Sequence, residues 1–319
     1  MSFTILGTGS ALPERILTNE ELTHMVDTSD EWIATRTGIH ERRVITHETL
    51  TQLGAQALRN ALEKAECTAD ELDLILCTTV RGDLTTPALA NLIELELGVN
   101  CGAMDINGAC AGFVAALDMA GAYLDSGRAK RIAVVSAEAM SFMCDWTNRA
   151  TCVLFGDGAG AVVLGPGNDL EAFRMTAQPN SEYLYAGAPK GNSPFFETHQ
   201  KDFYLNMNGQ EVYKFAVSSV SRDIKEILQQ SDVSADDVDW YLLHQANMRI
   251  LDAARMRLKQ PREKFPTTIE KYGNVSSATI PILLDEMNRE DRLKKGQRLV
   301  LSAFGAGLTT ATALITWQA

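Results

Sequence analysis

Apolar positions along the chain follow two periods. LDLILCTTV (72–80), RIAVVSAEA (131–139), VDWYLLH (238–244) and RLVLSAFG (298–305) are short, nearly continuous apolar runs. Their length and β-branched content predict strands covered on both faces. Between them, TLTQLGAQALRNALEKA (49–65) and AVSSVSRDIKEILQQS (216–231) place an apolar residue every three or four positions, which predicts amphipathic helices. The alternation of the two patterns is that of an α/β fold.

These segments repeat. ALEKAECTADELDLILC is similar to EILQQSDVSADDVDWYLLH, with Asp73 and Asp239 in register 166 residues apart. GRAKRIAVVSA pairs with KGQRLVLSA, and GACAGFVAALDM with NVSSATIPILLDEM, at a separation of 167. Three agreeing offsets in one order predict a duplicated α/β unit. The first half is expected over 1–168, ending in GDGAGAVVLGPGND, and the second over 169–319, ending in GAGLTTATALITW. GPGND and the polar stretch GAPKGNSPFFETHQKD (187–202) are the loop or boundary candidates. In this scheme the turn bearing Cys110 and the turn 274–277 are equivalent, so a pseudo-twofold axis would bring both to one central site.

Charge and cysteine usage narrow the function. A formal charge of −12 repels phosphate-rich partners on average, which argues against nonspecific nucleic-acid or anionic-membrane binding. The six cysteines include no CxxC pair and no His/Cys cluster at zinc spacing, so no metal is expected. The opening apolar run of four residues is far shorter than a signal core, and no run approaches the roughly 18 apolar residues of a membrane span. A reduced, cytoplasmic protein is expected.

Three small constellations carry candidate chemistry. Cys110, in GACAGF, stands where a strand-like run gives way to a helical one. A free cysteine is by default a packed apolar group. At a helix N-terminus, however, unpaired amides and the macrodipole favour a thiolate, and small neighbours admit a bulky substrate. The other five cysteines lack that setting and read as packing. His244 closes a strand-like run and opens HQAN, a junction where a histidine is either a capping residue or faces the carboxyl edge of the sheet. Asn274, in GNVSSA, reads on its own as a turn or helix cap. GDGAG (156–160) lacks GxGxxG spacing and leads into a strand, so close backbone packing explains it better than phosphate binding.

Taken together, VDTSDEWIATRTGI (26–39), GACAGF, FGDGAGA, HQANMRI, YGNVSSA and AFGAG stand in the order of the β-ketoacyl-acyl carrier protein synthase III family of the thiolase superfamily. The chain resembles that family over essentially its whole length. The resemblance implies a thiolase-like α/β fold, duplicated halves forming a layered α-β-α-β-α architecture. It implies an acyltransferase of fatty acid biosynthesis that condenses an acyl-coenzyme A primer with malonyl-acyl carrier protein by decarboxylation, through an acyl-Cys110 intermediate. Cys110, His244 and Asn274 match the catalytic triad, and the amides of Cys110 and of the turn at Ala306 match the oxyanion hole. The family more often has glycine at Ala306, where a negative φ would keep the donor in place.

For acyl-coenzyme A, a substrate rather than a permanently bound cofactor, the matching positions are Trp32, Arg36, Thr37, Arg149, Met207, Gly209, Tyr213 and Asn247. Trp32 and Arg149 would sandwich the adenine. Thr86 and Phe155 match the acyl pocket, the former on a segment lent by the partner of a homodimer. Thr86 replaces a phenylalanine common there, which implies room for primers longer than acetyl. Lys214, Arg249 and Arg257 match the surface on which the acidic carrier protein docks. The resemblance leaves open a same-fold condensing enzyme or acyltransferase of secondary metabolism with another acceptor.

Overall fold

A computed structural model of the chain describes residues 2–188, 195 and 203–319. Most of the polar stretch 187–202, a boundary candidate, lies outside the described residues. The strands are β1 (Ser2–Ala11), β2 (Ile16–Thr18), β3 (Glu41–Arg43), β4 (Leu74–Thr78), β5 (Gly102–Ile106), β6 (Ile132–Ala139), β7 (Asp157–Gly167), β8 (Leu170–Asn180), β9 (Leu184–Ala186), β10 (Leu205–Met207), β11 (Trp240–Leu243), β12 (Arg298–Gly305) and β13 (Gly307–Thr316). The helices are α1 (Asn19–Leu22), α2 (Asp30–Thr37), α3 (Leu50–Lys64), α4 (Leu89–Leu97), α5 (Gly112–Asp125), α6 (Gly209–Gln230), α7 (Met248–Leu258), α8 (Ile269–Tyr272) and α9 (Thr279–Arg289).

Two sheets dominate. One has the order β1-β7-β6-β4-β5 and the other β11-β12-β13-β8. In each, a parallel pair (β4 with β6, β11 with β12) continues into an antiparallel one (β6 with β7, β12 with β13). The repeat read from sequence has a physical counterpart in the hydrogen bonds. The Asp73 amide donates to the Arg131 carbonyl, and the Asp239 amide donates to that of Arg298, both at 2.9 Å. Each aspartate carboxylate in turn accepts the amide of its arginine, at 3.0 and 2.8 Å.

The chain folds in five layers, as the resemblance implies. α5 and α9 lie between the sheets, where Phe113, Leu117, Ile280 and Leu283 pack against Leu76 and Val134 of one sheet and Leu299 and Leu301 of the other. α3 and α4 cover one outer face through Leu58 and Ile93, and α6 and α7 cover the other through Ile224 and Leu251. Several helix starts follow side-chain caps: Thr49 and Gln52 form a capping box on α3, while Asn208 and Asn247 cap α6 and α7. The Asn208 cap explains why α6 begins at Gly209, seven residues before the apolar periodicity starts. In the glycine run of β7, a Cβ on Gly160 would stand 2.8 Å from the Ile282 nitrogen, so only glycine lets α9 seat on the strand. Among the described residues, no helix is long and apolar enough to cross a membrane.

The central layer is the mechanical core. Leu283→Ala, at a site 1% exposed, is expected to lower unfolding stability by about 2–5 kcal/mol. Met256→Ala, at a site 68% exposed, is expected to change it by no more than about 0.5 kcal/mol. Denaturant titration of the two variants checks the contrast.

Candidate active site

Two matching turns build the site. After β5 the chain passes through a 3-10 turn, Ala109–Ala111, into α5, and a second 3-10 turn, Ser276–Ala278, leads into α9. Their first residues, Ala109 and Ser276, both have φ 46°, a left-handed conformation that costs a non-glycine residue roughly 1–2 kcal/mol. An asparagine two residues earlier holds each in place. Asn107 Oδ1 accepts from the Ala109 amide at 3.2 Å, and Asn274 Oδ1 accepts from the Ser276 amide at 2.9 Å.

The turns touch: Ser276 Oγ donates to Cys110 Sγ across 3.4 Å. The end of β12 closes on the same point. A Cβ on Gly305 would lie 2.7 Å from the Cys110 nitrogen, so a side chain there would push the Cys110 backbone away.

His244 follows β11 and is 2% exposed. Its amide donates to the Ser302 carbonyl at 2.9 Å, and its ring meets Phe304 edge-on at 5.3 Å between centroids. Nδ1 lies 2.7 Å from Thr279 Oγ1, which donates to the Ser276 carbonyl at 3.0 Å. A hydroxyl has one proton; with it on Ser276, Thr279 accepts from Nδ1–H and Nε2 is left as a base. Burial drives the imidazole down to about 3, so it is neutral at physiological pH.

The thiol departs from the expectation that a helix N-terminus yields a thiolate. Burial pushes Cys110 up to about 12, with the Glu138 charge adding to it and the Ser276 hydrogen bond opposing it. A neutral thiol and a neutral imidazole therefore share one cavity, and a thiolate forms there only when a base removes the thiol proton. Asn274 is fixed through its backbone, donating to Leu154 and accepting from Gly156. With Oδ1 engaged on Ser276, its Nδ2 is the group available to donate.

Cys110, His244, Asn274 and Phe304 line the floor of a cavity of ≈ 1360 Å³. Trp32, Arg36, Met207, Gly209, Tyr213 and Asn247 line it towards solvent, with Lys214 and Arg249 among them. Arg36 and Arg149 lie 4.7 and 5.1 Å from the Trp32 ring centroid. An aromatic ring stacked between Trp32 and Arg149 needs about 7 Å, two contact distances, so such binding requires Arg149 to swing out from Asp27, which it now contacts.

Other expected residues are not among those that line the cavity. The Thr37 hydroxyl is buried, donating to Ile33 and accepting from Ile39 at the end of α2. Arg257 donates to the Val217 carbonyl of α6. Phe155 is buried beside Asn274, with which it forms a β-bridge. Thr86 is exposed on the loop after β4. Ala306 lines a neighbouring hollow with Ala109 and Gly307, and the positive φ in its turn falls on Gly307.

Sequence reading did not single out Ser276, Thr279 or Glu138. The first two sit within three and six residues of Asn274. Glu138 carried a signal, a lone carboxylate in an otherwise apolar, doubly covered strand.

The models of 3-oxoacyl-[acyl-carrier-protein] synthase III and of its C-terminal region match residues 104–179 and 228–317. The β-ketoacyl-[acyl-carrier-protein] synthase III of Clostridium acetobutylicum is 40% identical over 321 residues, covering 99% of each chain. The crystal structure of 3-oxoacyl-[acyl-carrier-protein] synthase III from Aquifex aeolicus superposes with a TM-score of 0.92 at 41% identity, covering 99% of this chain and all of that one. The priming β-ketosynthase of the R1128 polyketide pathway also superposes at 0.92, with 32% identity over 99% of this chain and 96% of its own.

The raised thiol makes a direct prediction. Carbamidomethylation of Cys110 by iodoacetamide, followed by mass spectrometry, is expected to accelerate about tenfold per pH unit from about pH 7 to 10 without a plateau. An ordinary thiol levels off above about 8.5. A plateau of that kind at Cys110 contradicts the account.

Proposed function

The chain belongs to the β-ketoacyl-[acyl-carrier-protein] synthase III family of acyl-condensing transferases, and we propose that it condenses an acyl-coenzyme A primer with malonyl-acyl carrier protein to begin fatty acid synthesis. The observation that carries this reading is the meeting of Cys110, His244 and Asn274 on one cavity floor.

In the first half-reaction the Cys110 thiol loses its proton to His244 Nε2 as sulfur attacks the thioester carbonyl. The coenzyme A thiolate leaves and takes that proton from the imidazolium, giving acyl-Cys110 and free coenzyme A. The amides of Cys110 and Ala306 stabilise the tetrahedral oxyanion. Trp32, Arg36, Arg149, Met207, Gly209, Tyr213 and Asn247 hold the nucleotide and pantetheine, with Thr37 supporting α2 from beneath.

Malonyl-carrier protein then enters. Its carboxylate leaves as carbon dioxide, and the electron pair of the broken bond passes into an enolate whose oxygen accepts from Asn274 Nδ2 and from His244. For that second donation Nε2 must carry a proton, which Thr279 permits by turning its hydroxyl towards Nδ1. The carbanion attacks the acyl carbonyl, the C–S bond breaks, and the Cys110 thiolate takes a proton from solvent, the one proton the overall reaction consumes. The products are 3-ketoacyl-carrier protein and carbon dioxide.

Lys214 and Arg249, at the mouth, meet the acidic carrier, with Arg257 one helix face away. Lys214 is held by Glu211 at 2.6 Å, so docking exchanges that partner for a carrier carboxylate. Thr86 and Phe155 bound the acyl pocket, Thr86 from the second subunit of a homodimer. A second reading, priming of another condensation pathway, has the R1128 synthase in its favour. It differs only in the acceptor.

Asn274→Ala is expected to form acyl-Cys110 at near wild-type rate and to lose malonyl decarboxylation by about 100-fold or more; coenzyme A release and carbon dioxide evolution measure the two steps. Loss of both or neither refutes the assignment. Thr86→Phe is expected to move the preference towards acetyl in a chain-length series of acyl-coenzyme A, and an unchanged profile removes Thr86 from the pocket.

A further inference from the structure

Glu138, the penultimate residue of β6, is 1% exposed and has no part in the chemistry above. Its carboxylate joins three segments. Oε1 accepts from Ser277 Oγ at 2.6 Å and from the Ser277 amide at 3.3 Å. Oε2 accepts from the Val80 amide at 2.9 Å, at the start of the loop that carries Thr86. Ser277 is also held by Thr78 Oγ1 at 3.1 Å. The preceding residue, Ser276, is the one whose amide fixes Asn274 Oδ1 and whose hydroxyl reaches Cys110.

We propose that Glu138 is a positioning residue for the condensation step: through Ser277 it locks the left-handed Ser276 turn and so aims the Asn274 amide at the developing enolate. The inference rests on the donor role given to Asn274. The Ser277 and Val80 amides can only donate, and the ionised carboxylate accepts from both and from the Ser277 hydroxyl. A protonated carboxyl reverses the hydroxyl contact, its O–H donating to Ser277 Oγ and the Ser277 proton turning to the Thr78 carbonyl at 3.5 Å.

Burial raises this carboxyl to about 7, against the hydrogen bonds from Ser277 and Val80. The titratable groups that feel its charge are Cys110 beside it and Cys77 of β4, both raised by it. Both are thiols that stay protonated near neutrality, so a change near pH 7 belongs to the carboxyl. The same charge works against ionisation of Cys110, which separates the two half-reactions: removing it eases acylation and loosens Asn274.

The test compares Glu138→Gln with wild type. Coenzyme A release from acyl-coenzyme A is expected at wild-type rate or a few-fold faster. Decarboxylation of malonyl-carrier protein is expected to fall by about 10- to 100-fold, the scale of a small misplacement. Wild-type decarboxylation is expected to rise with pH through about 7, and Glu138→Gln to lack that limb. Equal loss in both half-reactions, or no loss in either, overturns the proposal. Where Glu138→Gln fails to fold, Ser277→Ala removes one donor and is expected to give a milder form of the same split; its absence is equally fatal. Asn274→Ala separates this inference from the reading beneath it. Decarboxylation that survives Asn274→Ala refutes the donor role itself, whereas loss there with none in Glu138→Gln refutes only the part given to Glu138.

Discussion

The site depends on one contact, the meeting of two left-handed turns between two sheets. Ala109 and Ser276 take the same φ, each held by an asparagine two residues before it. Neither turn is stable by backbone preference alone. Packing of α5 against α9 in the middle layer and the bare backbone of Gly305 press the turns together. Cys110 from one half and the Asn274 amide from the other are thereby held in place by structure formed on folding.

The duplicated frame is used asymmetrically. At the offset that relates the halves, Cys110 corresponds to Ser277, His244 to Thr78 and Asn274 to Asn107. Where Cys110 of the first half shares a cavity with His244 of the second, their counterparts Ser277 and Thr78 are bonded to each other, and Ser277 to Glu138. The first arrangement opens on the cavity and the second is sealed. Burial keeps both Cys110 and His244 neutral near physiological pH, and fixed donors act strongly where burial lowers the local dielectric.

Much of this was legible in the sequence. The strand at 298–305 and the helix core at 50–64 follow from apolar period, and the paired Asp73 and Asp239 follow from the repeat. Cys110 and His244 stand at junctions of two periodicities, where side chains gather at the carboxyl edge of a sheet, whereas Asn274 reads alone as a cap and is joined to them only by the family resemblance. Other parts depend on geometry that no period encodes. The ionisation of Cys110 turns on burial, which outweighs the helix terminus. Thr37 fits its motif, yet its hydroxyl is engaged within α2. The extended start of α6 follows from a cap at Asn208 rather than from apolar spacing.

The central claim is that acyl-Cys110 is an intermediate cleared by a malonyl-carrier nucleophile. Intact-protein mass spectrometry after mixing with acyl-coenzyme A, then with malonyl-acyl carrier protein, tests it most directly. The account requires an acyl mass on Cys110 that disappears as 3-ketoacyl-carrier protein forms. An enzyme that makes product without passing through that adduct, or an adduct that malonyl-carrier protein leaves untouched, contradicts it.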